Sequence, residues 1–197
     1  YCQNTAKKYK IDLDYLDIET QEYRLKEYTD LLNLFPYHTP DRVILGGMLS
    51  YIYGCERLIA VDDDNYSTEN DFVGFHNITG SEIELNLINN ESGWFNVHNA
   101  LVEEQNIPFY PRGYPWEQRN SKSNERFDIK KVGKVVVNQG LVLEDPDIDA
   151  ISRLFWPIRA IAMNDKFDPQ FGLNPGVWSP FNYQNTSLIR DLFIISL

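Results

Sequence analysis

Arg57-Leu58-Ile59-Ala60-Val61-Asp62-Asp63-Asp64-Asn65 holds the strongest structural signal of the chain. Its first five residues form a short apolar run with Gly54 behind and three acids ahead, and such a run reads as a buried strand. In an open α/β sheet, ligands bind just beyond the carboxyl ends of strands. Acids at that position are well placed to hold a divalent metal against a phosphorylated substrate. In extended backbone alternate side chains share a face, which predicts that Asp62 and Asp64 point together and Asp63 points away. Two carboxylates on one side suit Mg²⁺ or Mn²⁺, which prefer oxygen ligands and keep positions open for substrate phosphates. The competing reading is an acidic surface turn or a helix cap. A calcium EF-hand is excluded, because counting from Asp62 puts Tyr66 at the third ligand position and Ser67 at the required glycine.

Behind the strand, Thr39 precedes Pro40 and Asp41, a cap followed by proline in the first helical turn; the helix is predicted to reach Tyr53 and stop at Gly54. Residues 21–35 carry apolar positions at near-helical spacing. Ahead of the acids, residues 66–80 read as a loop or irregular hairpin, and Ile83–Leu87 alternates as a strand with one wet face. An irregular aromatic segment runs from Gly93 to Trp116, followed by a polar, exposed stretch from Glu117 to about Lys131. Lys134–Asn138 is predicted as a strand that Gly140 breaks and Leu141–Leu143 continues, with a helix over Asp147–Phe155. Residues 165–184, rich in proline and glycine, read as a long loop, and Thr186–Leu197 as an amphipathic helix. This order favours an α/β or α+β sandwich over a bundle or an all-β fold.

With 197 residues, 43% hydrophobic and 24% charged, the chain has the make-up of an ordinary globular domain. A net charge of -11 argues against broad contact with nucleic acid or anionic lipid. A small anionic substrate then requires a metal or local arginines to reverse the field. Cys2 and Cys55 are too few for a disulfide scaffold, so a reducing compartment, the cytoplasm, is expected, with Cys55 packed rather than reactive. No apolar run approaches the ~20 residues of a membrane span, and no signal-peptide pattern opens the sequence. His38, His76 and His98 lack metal-ligand spacing, and neither a serine-histidine-acid pattern nor a glycine-rich phosphate loop is present. Aromatics at 14% would allow a partner chain, so a homo-oligomer is compatible.

Tyr110-Pro111-Arg112-Gly113-Tyr114-Pro115-Trp116-Glu117-Gln118-Arg119 places two arginines seven apart in a rigid aromatic segment. Two guanidiniums could clamp a diphosphate through forked hydrogen bonds, or serve as structural ion pairs in an acidic protein. Together with two further segments this one carries a resemblance. Ile59–Asn65, Arg112-Gly113-Tyr114-Pro115 with Arg119, and Gly140-Leu141-Val142-Leu143-Glu144-Asp145-Pro146-Asp147-Ile148-Asp149-Ala150 resemble, in order and rough separation, segments of the reversibly glycosylated polypeptides. These form the plant UDP-arabinopyranose mutase family and are related to other nucleotide-sugar enzymes of the GT-A fold. The family usually has cysteine where this chain has Asn65.

The resemblance implies one GT-A-like domain over residues 1–197, a mixed sheet flanked by helices. The family's first nucleotide-binding strand has no match here, nor has its C-terminal aspartate-tryptophan segment. That implies either a degenerate first βα unit or a part of a larger protein. It also implies that Asp62 and Asp64 bind Mn²⁺ or Mg²⁺, that Asp63 contacts the nucleotide, and that Gly140, Asp147 and Asp149 bind substrate. Asp147 and Asp149 read equally well as caps of the following helix. Arg112 matches the arginine that becomes glycosylated in the family, and Arg119 its essential companion, so both are expected to be catalytic. Guanidinium is a demanding nucleophile, since its pKa exceeds ~12; binding diphosphate is the easier role for either. The expected function is metal-dependent transfer of a sugar from a nucleoside-diphosphate donor to a glycan or small-molecule acceptor. The alternatives are a UDP-sugar pyranose/furanose mutase that glycosylates itself on arginine, and a non-catalytic nucleotide-sugar binding module.

Overall fold

A computed structural model describes residues 2–39, 44–68, 70–119 and 126–193. By packing, the chain divides into two units, one made of residues 1–56 and 190–197 and the other of Arg57–Ile189. The fold class is mixed α/β, with strands paired in both orientations.

The first unit is helical: α1 (Cys2–Tyr9), α2 (Ile18–Arg24), α3 (Thr29–Leu32) and α4 (Ile44–Ile52). Asp17 caps α2, its carboxylate accepting the Thr20 N–H at 2.9 Å. Leu25, Leu45 and Leu49 are buried together, with Leu16, Leu32, Phe35 and Met48 packed around them. Gly54 ends α4 as expected. Its φ of +77° lets its N–H reach Tyr51 O at 3.0 Å while Cys55 N–H reaches Ser50 O at 3.0 Å, a Schellman cap. Cys55 itself is exposed rather than packed. The expected cap at Pro40–Asp41 lies outside the described residues.

The second unit holds β1 (Arg57–Val61), α5 (Phe72–His76), β2 (Glu82–Asn89), β3 (Leu101–Glu103), β4 (Arg126–Lys134), β5 (Val137–Gln139), α6 (Ala150–Phe155), β6 (Ala160–Met163), β7 (Phe171–Leu173) and β8 (Asn185–Ile189). β1 is the expected strand, but its sheet is antiparallel. β8 lies between β1 and β5, with Leu58 opposite Leu188 and Ala60 opposite Thr186. A mixed sheet places β2 between antiparallel β4 and parallel β7, and β3 pairs antiparallel with β6. Two apolar clusters support the unit. One holds Leu101, Phe109, Ile148, Ile158 and Ala160, the other Ile88, Phe95, Val97 and Val177; Leu141 packs against both.

Several sequence expectations are corrected. The expected helix over 186–197 is a strand at its start: Thr186, Ser187 and Leu188 are buried in the central strand β8, a 3-10 turn over Arg190–Leu192 follows, and residues 194–197 lie outside the described residues. A short apolar run has no length with which to separate strand from helix, and pairing to β1 decides it. The polar segment 66–80 contains α5, whose N-cap Asp71 accepts the Gly74 N–H at 2.9 Å. The exposed stretch 117–131 gives way to β4 at Arg126. The predicted strand 134–138 breaks at Val135–Val136, where Val135 bonds instead to Ser81 and Gly80, and Leu141–Leu143 lie outside any strand. The loop 165–184 includes β7.

Candidate functional site

β1 delivers the acids. At Val61 the strand ends, and Asp62–Asn65 form a turn in which the Asn65 N–H reaches Asp62 O at 3.3 Å. Strand alternation therefore does not govern where Asp62, Asp63 and Asp64 point, contrary to the sequence argument. The turn is tied down by one carbonyl, that of Gln184, which accepts the Asp62 N–H at 3.1 Å and the Asn65 side-chain amide at 2.6 Å. Partial burial, and then the negative charges of Asp64, Asp147 and Asp63, push the Asp62 carboxyl above the ordinary range. Asp147, far off in sequence, is thus an electrostatic neighbour of the turn.

The arginine segment meets the aspartate segment through an antiparallel bridge between Pro111 and Ile148. Asp147 and Asp149 flank Ile148, and residues two apart in extended backbone face the same way. Each takes one arginine. Arg112 Nη2 lies 2.7 Å from Asp147 Oδ1, with the arginine side chain 71% exposed and the aspartate 18%. Arg119 Nη1 lies 3.1 Å from Asp149 Oδ2, with side chains 9% and 13% exposed. The two arginines that looked alike in sequence are therefore different. Arg112 reaches solvent and can touch a ligand. Arg119 is enclosed, its guanidinium 3.8 Å from the Trp116 ring centroid and 4.9 Å from that of Tyr110.

Asp149 is also the N-cap of α6, accepting the Ser152 N–H at 2.9 Å and its hydroxyl at 2.7 Å. Burial works against its charge, but the Ser152 bonds and Arg119 outweigh burial and hold its carboxyl below the usual range. Asp149 is thus fully engaged by the protein. Asp147 also accepts the Asn182 amide at 3.3 Å on its second oxygen.

Gly140 has a packing reason for lacking a side chain. A Cβ there would meet the Asn185 Nδ2 at 2.1 Å, and the Gly140 N–H bonds Asn185 O at 2.8 Å. The Asn185 Oδ1 faces His76 Nε2 at 2.9 Å, and His76 Nδ1 faces Ser187 Oγ at 2.9 Å. This serine-histidine-asparagine chain, invisible in the sequence, is closed to substrate because Ser187 is fully buried.

Residues 180–184, which no motif marks in the sequence, also reach the candidate site. Pro180 packs over Gly113, Asn182 holds Asp147, and Gln184 holds the acid turn and donates to Asp145 O at 3.4 Å. Their only signal was the alternation of aromatic and amide residues in Phe181-Asn182-Tyr183-Gln184.

All these residues lie within Arg57–Ile189. Among the described residues, no group of three or more His, Cys, Asp or Glu gathers as a ready metal cage, and no helix is long and apolar enough to cross a membrane. No protein-family model matches the chain, and no curated protein sequence matches it.

Proposed function

We propose that this chain is a nucleotide-sugar enzyme of GT-A type, related to the reversibly glycosylated polypeptides. It binds a nucleoside-diphosphate sugar where the Asp62–Asn65 turn approaches the Arg112–Asp147 pair, and transfers the sugar to a glycan or other acceptor. One observation carries the reading: three segments far apart in sequence come together around Asp147, which pairs with Arg112 and adds its charge, after burial and Asp64, to what raises the Asp62 carboxyl.

Asp62 and Asp64 fit a hard cation by chemistry. They offer carboxylate oxygens from one turn, and the repulsion felt by Asp62 is what a cation would relieve. Mn²⁺ or Mg²⁺ held there, with water and substrate phosphate filling the remaining positions, would offset charge growing on the leaving diphosphate. Arg112 adds forked hydrogen bonds to a phosphate. Arg119, buried against Trp116 and Asp149, positions the segment rather than touching substrate. The experiment is a thermal shift of the chain with UDP or GDP plus Mn²⁺; a melting temperature that stays put with either nucleotide defeats the proposal.

A specific contact favours the mutase as the second reading. A guanidinium acting as nucleophile needs a base beside it, and Asp147 stands 2.7 Å from Arg112. In that step an Arg112 nitrogen bonds the anomeric carbon, the sugar–phosphate C–O bond breaks with its electrons going to the nucleoside diphosphate, and the nitrogen's proton passes to Asp147. Intact-mass measurement after incubation with a UDP-sugar separates the readings. A sugar-sized adduct that Arg112→Ala abolishes supports the mutase, and its absence beside observed transfer supports the transferase. Retained nucleotide affinity with neither reaction points to a non-catalytic module.

A further inference from the structure

The open face of Trp116 is unused by the chemistry above. Trp116 is 57% exposed, yet its indole is rigidly mounted. One face rests on the Arg119 guanidinium, which Asp149 fixes at 3.1 Å and against which Tyr110 also lies. The Tyr110 hydroxyl donates to Arg119 O at 3.0 Å, and the Arg119 N–H bonds Trp116 O at 3.1 Å. The Arg119 Nε is buried and, among the described residues, has no hydrogen-bond partner. Asp147 and Asp149 flank one bridged residue, so their side chains leave the same side of the segment from backbone positions about 7 Å apart. They therefore set the exposed Arg112 guanidinium alongside the Arg119–Trp116 stack.

A cationic group and a flat exposed ring side by side match a ligand with an anionic part and a planar part. C–H faces of sugars favour an electron-rich indole, and a guanidinium on the opposite face draws that density away. A dipolar heteroaromatic ring suits the remaining face better, and bases stack on such platforms with little regard to sequence. We infer that Trp116 is the base-stacking platform of the nucleotide site, with Arg112 taking the phosphates. This rests on the nucleotide reading above and assigns a residue that reading did not use.

Titration calorimetry on the whole chain, with UDP and with inorganic pyrophosphate, each with Mn²⁺, tests it. Trp116→Leu keeps apolar cover over Arg119 but removes the π face. It is expected to weaken UDP about tenfold or more while leaving pyrophosphate affinity unchanged. Arg112→Ala weakens both ligands. As a second readout, UDP quenches indole emission in the wild type, and Trp116→Phe binds UDP with that quench lost. UDP affinity equal in wild type and Trp116→Leu, or a quench that survives in Trp116→Phe, overturns the platform while the nucleotide reading stands. Failure of the wild type to bind UDP, GDP or ADP overturns both. Loss of oligosaccharide binding instead of UDP binding in Trp116→Leu assigns the ring to the acceptor and also overturns the inference.

Discussion

At the scale of single residues, the site and its support carry opposite electrostatic signatures. His98 is buried, stacked on Phe109 at 4.8 Å with its Nδ1 unpartnered among the described residues, and burial lowers its pKa from 6.5 to about 4. The unfolded chain binds this proton first as pH falls, so stability holds above pH 6.5 and drains away from there down to about 4. At 1.36 kcal/mol per unit the full effect is roughly 3 kcal/mol. His98→Phe is expected to flatten the pH dependence of unfolding across that window, as urea melts at several pH values will show. Asp62 behaves in the other sense. Its raised carboxyl costs stability at neutral pH, and that cost disappears on acidification as the group protonates. Asp62→Asn should therefore melt higher than wild type at pH 7, with the gap closing in acid, while nucleotide binding is lost. The acids and both arginines were readable as sequence because charged residues in a rigid aromatic setting stand out. The different fates of Arg112 and Arg119 were not, since residue type says nothing of which side chain a neighbouring strand encloses. Beside Gly140, which the resemblance makes a substrate contact, Asn185 occupies the space a side chain would take. Gly140→Ala must displace that amide from His76. It should cost about 1–3 kcal/mol in thermal melts, with partial rescue by Asn185→Ala.

Among elements, α6 and the ion pair at its start depend on each other. Asp149→Ala removes the cap and leaves Arg119 buried without a counter-charge, an expected loss of about 3–5 kcal/mol by denaturant titration. Asp147→Ala, facing a solvated arginine, should cost under about 1 kcal/mol while disturbing ligand binding. β1 was legible because four apolar residues, Leu58–Val61, end abruptly at acids, and α6 because aspartate precedes an apolar face. β8 was not, because Thr186–Ile189 suits either period; its register against β1 and β5 settles the matter. The same limit hid β6 and β7, three or four residues long, whose strand character comes only from their partners.

Over the whole molecule, every residue named in the site falls within Arg57–Ile189, whose two end residues are paired partners in the β1–β8 ladder. Expressed alone, this segment is expected to fold and to bind nucleotide about as well as the complete chain; a fragment that folds without binding would place a needed group elsewhere. The mixed α/β character followed from the order of patterns along the chain. Its antiparallel sheet around β8 did not, because strand order arises from long-range pairing that no local signal encodes. The Asn65 amide is anchored on a carbonyl 119 residues downstream. On the ribosome, which releases the amino-terminal end first, every charged group of the site leaves the exit tunnel before the segment that ties them together. A nascent polypeptide shorter than this therefore carries all the chemistry and none of its arrangement, and capture of ligand must await completion of synthesis through Ile189.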